Sequence, residues 1–405
     1  MRLKFLLLNQ TFHPDVMATG QYLSEVALQL AKRGHQVTVV TGRRAYDEPK
    51  RTFGRKEIWQ GVRIYRVGST WFGKDARWKR WANFSSYLIS CAARLLRLPR
   101  HNVVLALTSP PMVGLLGAWL ARLHGGHFIY WIMDFNPDEA IAAGWLKPAG
   151  PMARLLDWIS CSCLKRADKI IALDWFMRSR ILAKNIPPSK IVVLPLWAQN
   201  VGFDRQGRNH FRRLHGMEGK FVVMYSGNHS PCHPLESLLK AAQLLAQDRR
   251  ILFCFIGGGS EFRKLQQMQR QGNLAKILCL PYQPLSRLSE SLSAADLHVV
   301  IMGDPFVGLV HPCKIYNLLN LGLPLLYIGP ERSPVSDLLA SSDLPATFAA
   351  RHGEVESIRD QIREACKQRS RWVPKAGPES GTAPSQESVV CKLIAQLESA
   401  GQRRR

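Results

Sequence analysis

A lysine in the first turn of a helix opposes the helix dipole, and Lys314 sits at such a place. Segment Gly303-Asp304-Pro305-Phe306-Val307-Gly308-Leu309-Val310-His311-Pro312-Cys313-Lys314-Ile315-Tyr316 reads as the end of a strand, a small and polar loop, and a helix starting near Pro312. Proline is favoured in that first turn. An anion held between the helix start and the ammonium would give the charge its purpose. Other strand-to-helix junctions offer related chemistry. Thr11-Phe12-His13-Pro14 leads to Ala18-Thr19-Gly20 at the head of a helix, where backbone N–H groups are free to meet an anion. Gly20 would let the backbone approach a phosphate closely, or it serves an ordinary tight turn. Strand FVVMYSG, ending at Gly227, runs into Asn228-His229-Ser230-Pro231-Cys232-His233-Pro234, and Gly257-Gly258-Gly259 follows the next strand. His229, Cys232 and His233 are three nearby metal-ligand types, but their spacing fits no common zinc pattern, so no metal is expected.

These loops need a scaffold that presents them together. Short apolar runs alternate with helical patterns along most of the chain: Leu3 to Leu8, Val37 to Thr41, Val103 to Leu107, Phe128 to Met133 and Lys169 to Leu173. After a polar stretch from Ala198 to Arg213 the rhythm restarts at Phe221 to Tyr225, Ile251 to Ile256, Ile277 to Leu280, Leu297 to Ile301 and Pro324 to Ile328. Strand-helix-strand repetition predicts parallel sheets covered by helices on both faces. The expected organisation is an α/β domain over 1–200, a second over 201–375, and a Pro/Gly/Ser-rich tail with a C-terminal helix over 376–405. Ligands of such sheets bind beyond the carboxyl ends of the strands.

The 405 residues carry a net charge of +25, and the first hundred hold 19 Lys/Arg against 6 Asp/Glu. So basic a region attracts phosphates, acidic lipid headgroups or nucleic acid. Residues 71–100 set Trp71, Phe72, Trp78, Trp81 and Phe84 among Lys79, Arg80, Arg94 and Arg97, a mixture suited to an anionic membrane surface or to an internal helix with solvated ends. No zinc finger, RNA-binding signature or helix-turn-helix accompanies the charge, so nucleic acid is not the expected partner. The nine cysteines are scattered without a CxxC pair and read as reduced thiols of a cytoplasmic protein. The most apolar stretch, Val103 to Ile132, is broken by Thr108-Ser109-Pro110-Pro111 and His124-Gly125-Gly126-His127, too soon to span a bilayer.

The order of the motifs resembles the family-four glycosyltransferases of GT-B fold, over about residues 1–345. The likeness rests on FHPDVMATGQYLSEVALQLAKRGHQVTVVT, ADKIIALDWFMRSRI, YSGNHSPCHPLESLLKAA, FCFIGGGSEFRKL, LPYQPLSRLSESLSAADLHVV and GLVHPCKIYNLLNLGLPLLYIGP. Within the family it is most similar to the sugar transferases of surface-polysaccharide assembly, such as the fucosamine transferases. The resemblance implies two Rossmann-like domains with sheets facing across a cleft, the first taking the acceptor and the second a UDP- or GDP-sugar. It implies transfer with retention at the anomeric carbon, without a metal or other cofactor. Gly20 would approach the donor diphosphate, and Gly258 with Tyr282-Gln283 would hold the nucleoside. Asn228 and His233 stand where many members carry Arg and Lys. Asp304 resembles the first of the family's paired glutamates. Its partner position holds Pro312, or Asn317 when counted back from Leu321-Gly322-Leu323-Pro324, and Lys314 and Tyr316 look like the substitute. Asp134, at the end of its strand in 130–140, matches a polar position facing the donor sugar, or else caps a short helix. The expected setting is the inner face of the plasma membrane, with a polyprenyl-linked or glycan-precursor acceptor. The alternative is a GT-B scaffold without catalysis.

Overall fold

Runs of apolar, largely β-branched residues form strands whose both faces are buried, as parallel sheets require. In the computed structural model, described for all residues except 1, 46–49, 73–76, 200, 271–276, 373–383 and 403–405, these strands build two separate units. The first comprises residues 1–195 and 387–405, the second residues 196–386.

In the first unit the order is β1 Lys4–Leu8, α1 Ala18–Lys32, β2 Gln36–Gly42, β3 Lys56–Trp59, β4 Val62–Val67, α2 Arg77–Leu95, β5 Val103–Ala106, α3 Val113–His124, β6 His127–Trp131, α4 Asp138–Ala142, α5 Pro151–Arg166, β7 Lys169–Ala172, α6 Trp175–Ala183 and β8 Ile191–Val193. The strands lie in the order β3-β4-β2-β1-β5-β6-β7-β8. All neighbours are parallel except β3 and β4, which the expectation of a purely parallel sheet did not include. Gln60 and Gly61 both have positive φ, 47° and 85°, the backbone of a two-residue hairpin that folds β3 back against β4.

The second unit runs α7 Arg205–Leu214, β9 Phe221–Asn228, α8 Glu236–Leu244, β10 Ile251–Gly258, α9 Ser260–Arg270, β11 Ile277–Leu280, α10 Leu288–Ser293, β12 Leu297–Ile301, α11 Lys314–Leu321, β13 Leu325–Ile328, α12 Pro334–Ala340, β14 Thr347–Ala350 and α13 Val355–Lys367. Its sheet order is β11-β10-β9-β12-β13-β14, parallel throughout. Inward residues of β9, β10 and β12, among them Phe221, Val223, Phe253, Phe255 and Val299, pack under Leu238, Ala241, Ile358 and Ile362. This arrangement is the two-Rossmann-domain α/β fold expected from the sequence.

The C-terminal helix α14, Gln386–Gln402, joins the first unit instead of extending a separate tail. Val389, Val390, Leu393, Ile394 and Leu397 are buried along one side. Glu398 meets His35 Nε2 at 2.9 Å and Arg33 Nη1 at 3.2 Å. Among the described residues no helix is long and apolar enough to cross a membrane.

Candidate functional site

Each sheet exposes loops at the carboxyl ends of its strands, and the second sheet gathers most of the expected residues there. β9 ends in Tyr225, Ser226, Gly227 and Asn228, and β10 in Gly257 and Gly258. The two ends lie in register, Gly227 beside Gly257 and Asn228 beside Gly258. The glycines are needed for this pairing: a Cβ on Gly257 would stand 2.0 Å from the Gly227 oxygen. Gly227, at φ 132°, leaves space that Lys314 enters from the first turn of α11, its Nζ 3.4 Å from where a Gly227 Cβ would be.

The Lys314 ammonium lies 3.4 Å from the centroid of the Tyr225 ring. It is buried and has no hydrogen-bond partner. Burial drives its pKa well below the ordinary lysine value. The aromatic face offers some attraction, but not the acceptors that an ammonium loses on leaving water. Two histidines flank it. His229 is fully buried between Tyr225 and Phe262, ring centroids 4.7 and 4.9 Å away, and neither of its ring nitrogens has a partner. His233 hydrogen-bonds through Nδ1 to the Ile301 carbonyl at 2.6 Å. Burial first, then the nearby Lys314, lowers both histidines to about 3. Both are therefore neutral at pH 7, and the Lys314 amine is the basic group they flank.

The remaining expected residues of this unit are placed in different ways. Gly258 faces Tyr282, whose ring lies 2.9 Å from the position a Cβ would take, and Tyr282 itself is exposed. Gln283 donates through Nε2 to the Pro281 carbonyl at 3.0 Å. Asn228 is exposed at the end of β9, and Gly308 takes φ 73°. Asp304 is exposed in a single 3-10 turn, and its charge helps burial raise the Tyr327 pKa to about 12. Tyr316 differs from the ligand-facing role expected for it. It is fully buried, with its hydroxyl 2.8 Å from His311 Nε2, so it supports the loop from beneath. Asn317, in the place of the second glutamate, accepts from the Gln199 N–H at 2.8 Å.

Tyr225 escaped the sequence reading, and His229 entered it only as one of three metal-ligand types. Their signal is faint: the strand YSGNH places an aromatic three residues before an exposed end, and nothing in it says that Lys314 will lie on that ring.

The first sheet's carboxyl edge sets amides and hydroxyls beside the Asp134 carboxylate. Asn9 is fully buried, and its Nδ2 donates to the Thr11 carbonyl at 2.8 Å and to Thr11 Oγ1 at 3.1 Å. Its Oδ1 is buried without a partner. Gly20 lies in the first turn of α1, packed within 3.1 Å of Thr11 and Phe12 at the Cβ position. Thr108 Oγ1 accepts from the Met133 and Asp134 N–H groups at 3.3 and 3.2 Å, which brings Asp134 to the end of β6. The cap position of α4 is Pro137, so Asp134 does not cap that helix. In the basic aromatic segment Lys79 is half-buried on α2. The side chains of Trp78, Arg80 and Trp81 lie outside the described residues.

The two Rossmann-like units with parallel sheets have the GT-B fold. Residues 18–197 match the glycosyl transferase 4-like domain family. The chain is 24% identical over 339 residues to WcaI of Escherichia coli K12, named as a colanic acid biosynthesis glycosyl transferase, covering 79% of this chain and 82% of that one. Sucrose-phosphate synthase from Thermosynechococcus elongatus superposes with a TM-score of 0.74 at 14% identity, over 98% of this chain and 100% of that chain. Anabaena HepE in complex with UDP and glucose gives 0.70 at 14% identity, with the same coverage. The chain is thus similar to bacterial glycosyltransferases, one of them named for colanic acid biosynthesis. Among the described residues no group of three or more His, Cys, Asp or Glu is placed to hold a metal ion.

Proposed function

We propose that the protein is a retaining glycosyltransferase that moves a sugar from a UDP- or GDP-sugar to a lipid-linked or glycan-precursor acceptor at an anionic membrane surface. The observation that carries this reading is the buried Lys314 amine group, without a hydrogen-bond partner, at the carboxyl end of β9. A donor diphosphate supplies the missing acceptors, and the same charge stabilises the leaving group as the glycosidic bond breaks. Neutralisation by Lys314 and by backbone N–H groups is a route that needs no metal. That HepE was solved with UDP and glucose supports a UDP-sugar donor. An amino sugar of the fucosamine type rests on the resemblance of the sequence motifs.

The membrane part is supported by the outer face of the first unit. α3 packs on β5 and β6 and touches both α2 and α5. Outward, these helices and the turn after α2 expose Ile89, Leu96, Trp119, Leu123, Leu155 and Trp158. Their sequences contain eight Lys/Arg and one acid, Asp157. Exposed apolar side chains rimmed by cations suit the headgroup layer of an anionic leaflet.

The test is transfer from a panel of UDP- and GDP-sugars to polyprenyl-diphosphate-linked sugar in vesicles containing phosphatidylglycerol, with EDTA present. A product with the donor's anomeric configuration, and loss of vesicle binding in Leu155→Ser/Trp158→Ser, are expected. Donor binding without turnover would favour the inert scaffold. Activity abolished by EDTA and restored by Mn²⁺ would overturn the metal-free mechanism. Vesicle binding unchanged in the double variant would move the acceptor into solution.

A further inference from the structure

At the opposite edge of the second sheet, where β12 and β13 begin, lies a cavity of about 340 Å³. Arg205, Arg208, Asn209 and Arg369 line it together with Asp296 and Trp372. The five residues of β12 separate it from the Lys314 edge by roughly 17 Å at about 3.3 Å per residue. It is a different place from the candidate donor site.

Its charges do not balance. Asp296 is buried and fully engaged: Oδ1 meets Arg208 Nη2 at 2.6 Å and Arg369 Nε at 3.1 Å, while Oδ2 accepts from Arg212 Nη1 at 3.0 Å and from the Val222 N–H at 2.8 Å. One carboxylate therefore serves three guanidinium groups. Arg205 adds a fourth at the rim, and neither it nor Asn209 makes a hydrogen bond or ion pair to a described residue. Two other carboxylates near it, among the described residues, are occupied. Asp204 accepts from the Gly207 N–H, and Glu290 holds Arg287. Burial lowers the Arg208 pKa, and the charges of Arg212 and Arg369 lower it further against the pull of Asp296. A surplus of planar, forked donors beside an empty volume suits an oxyanion bound by two or more guanidiniums. The volume is at the lower end of small-molecule pockets, and the indole of Trp372 and the rings of Phe203 and Pro324 give it an apolar wall.

We infer that this cavity is a second ligand site, which takes a phosphate group through Arg205, Arg369 and Asn209. The phosphate is either the free ion or the ester of a small sugar. Arg208 and Arg212 are held by Asp296 and by main-chain carbonyls, so they supply field and rigidity, while Arg205 and the outer face of Arg369 supply contact.

Thermal-shift and calorimetric titrations of the whole protein with inorganic phosphate and with glucose 1-phosphate test this. Both are expected to bind the wild type. Arg205→Ala should weaken binding about tenfold, the scale of one charge-assisted hydrogen bond. Arg205→Ala/Arg369→Ala should abolish it, and Lys314→Ala should leave it unchanged. Equal affinity for the two probes identifies the free ion, and tighter binding of the ester identifies the sugar phosphate; either supports the site. Because Arg205 is exposed and makes no hydrogen bond or ion pair to a described residue, its removal tests the contact without threatening the fold. No binding, binding indifferent to Arg205→Ala, or binding lost in Lys314→Ala would overturn the inference.

Discussion

The carboxyl edges of the two sheets share a topology but not a chemistry. The first presents amides and hydroxyls from Asn9, Thr11, Thr19 and Thr108, tied to one another and to main-chain groups, with Asn9 Oδ1 left as a buried free acceptor. The second presents the Lys314 amine on an aromatic floor with neutral histidines beside it. Neutral hydrogen-bonding groups suit sugar hydroxyls, which bring no charge to compensate. A buried ammonium suits a diphosphate, because only an anion recovers the solvation that burial removed. One fold repeated twice thus becomes specific through the residues at its strand ends.

The largest effect expected from breaking this contrast is on turnover. Lys314→Ala should lower it by roughly 10²–10³-fold, the scale of losing one preorganised electrostatic contact, with an unchanged circular dichroism spectrum. Near-normal turnover would return Lys314 to the packing. On the other edge, Asn9→Ala should destabilise the protein by about 1–3 kcal/mol, since the Thr11 carbonyl loses its donor. UDP binding, measured by calorimetry, should persist. Loss of UDP binding in the folded variant would erase the division of labour between the edges.

A smaller effect concerns pH. His229 and His233 stand at about 3 in the folded protein, against about 6.5 in an unfolded chain. Between these values the unfolded chain binds more protons, so stability falls as pH drops from 6.5 towards 3 and is fully present above 6.5. His229→Phe should make that acid limb shallower in urea titrations at stepped pH. An unchanged limb would mean that His229 does not resist protonation.

Much of this was readable from residues alone. The apolar runs marked ten strands because parallel strands buried on both faces are short and continuous. The hairpin of β3 and β4 was missed: KEIW is mostly exposed, and an edge strand carries no such run. Lys314 stood out because a lysine at a helix start contradicts the dipole, a local rule broken at the candidate donor site. Tyr316 misled for the opposite reason. Two residues along a helix turn the side chain by about 200°, so it faces the core when Lys314 faces the strand ends. The Tyr225 floor could not be read, since it depends on which way a strand-end side chain points against a helix ninety residues later.

The central claim, that Lys314 is held ready for a diphosphate at a cost to the free protein, is tested most directly by Lys314→Met. In the folded protein the lysine pKa is depressed, so between that value and about 10.5 the unfolded chain binds the extra proton and stability declines as pH falls from alkaline to neutral. Removing the amine should therefore raise the melting temperature of the ligand-free protein at pH 7, while the stabilisation given by added UDP disappears. A lower melting temperature with the UDP stabilisation intact would contradict the account.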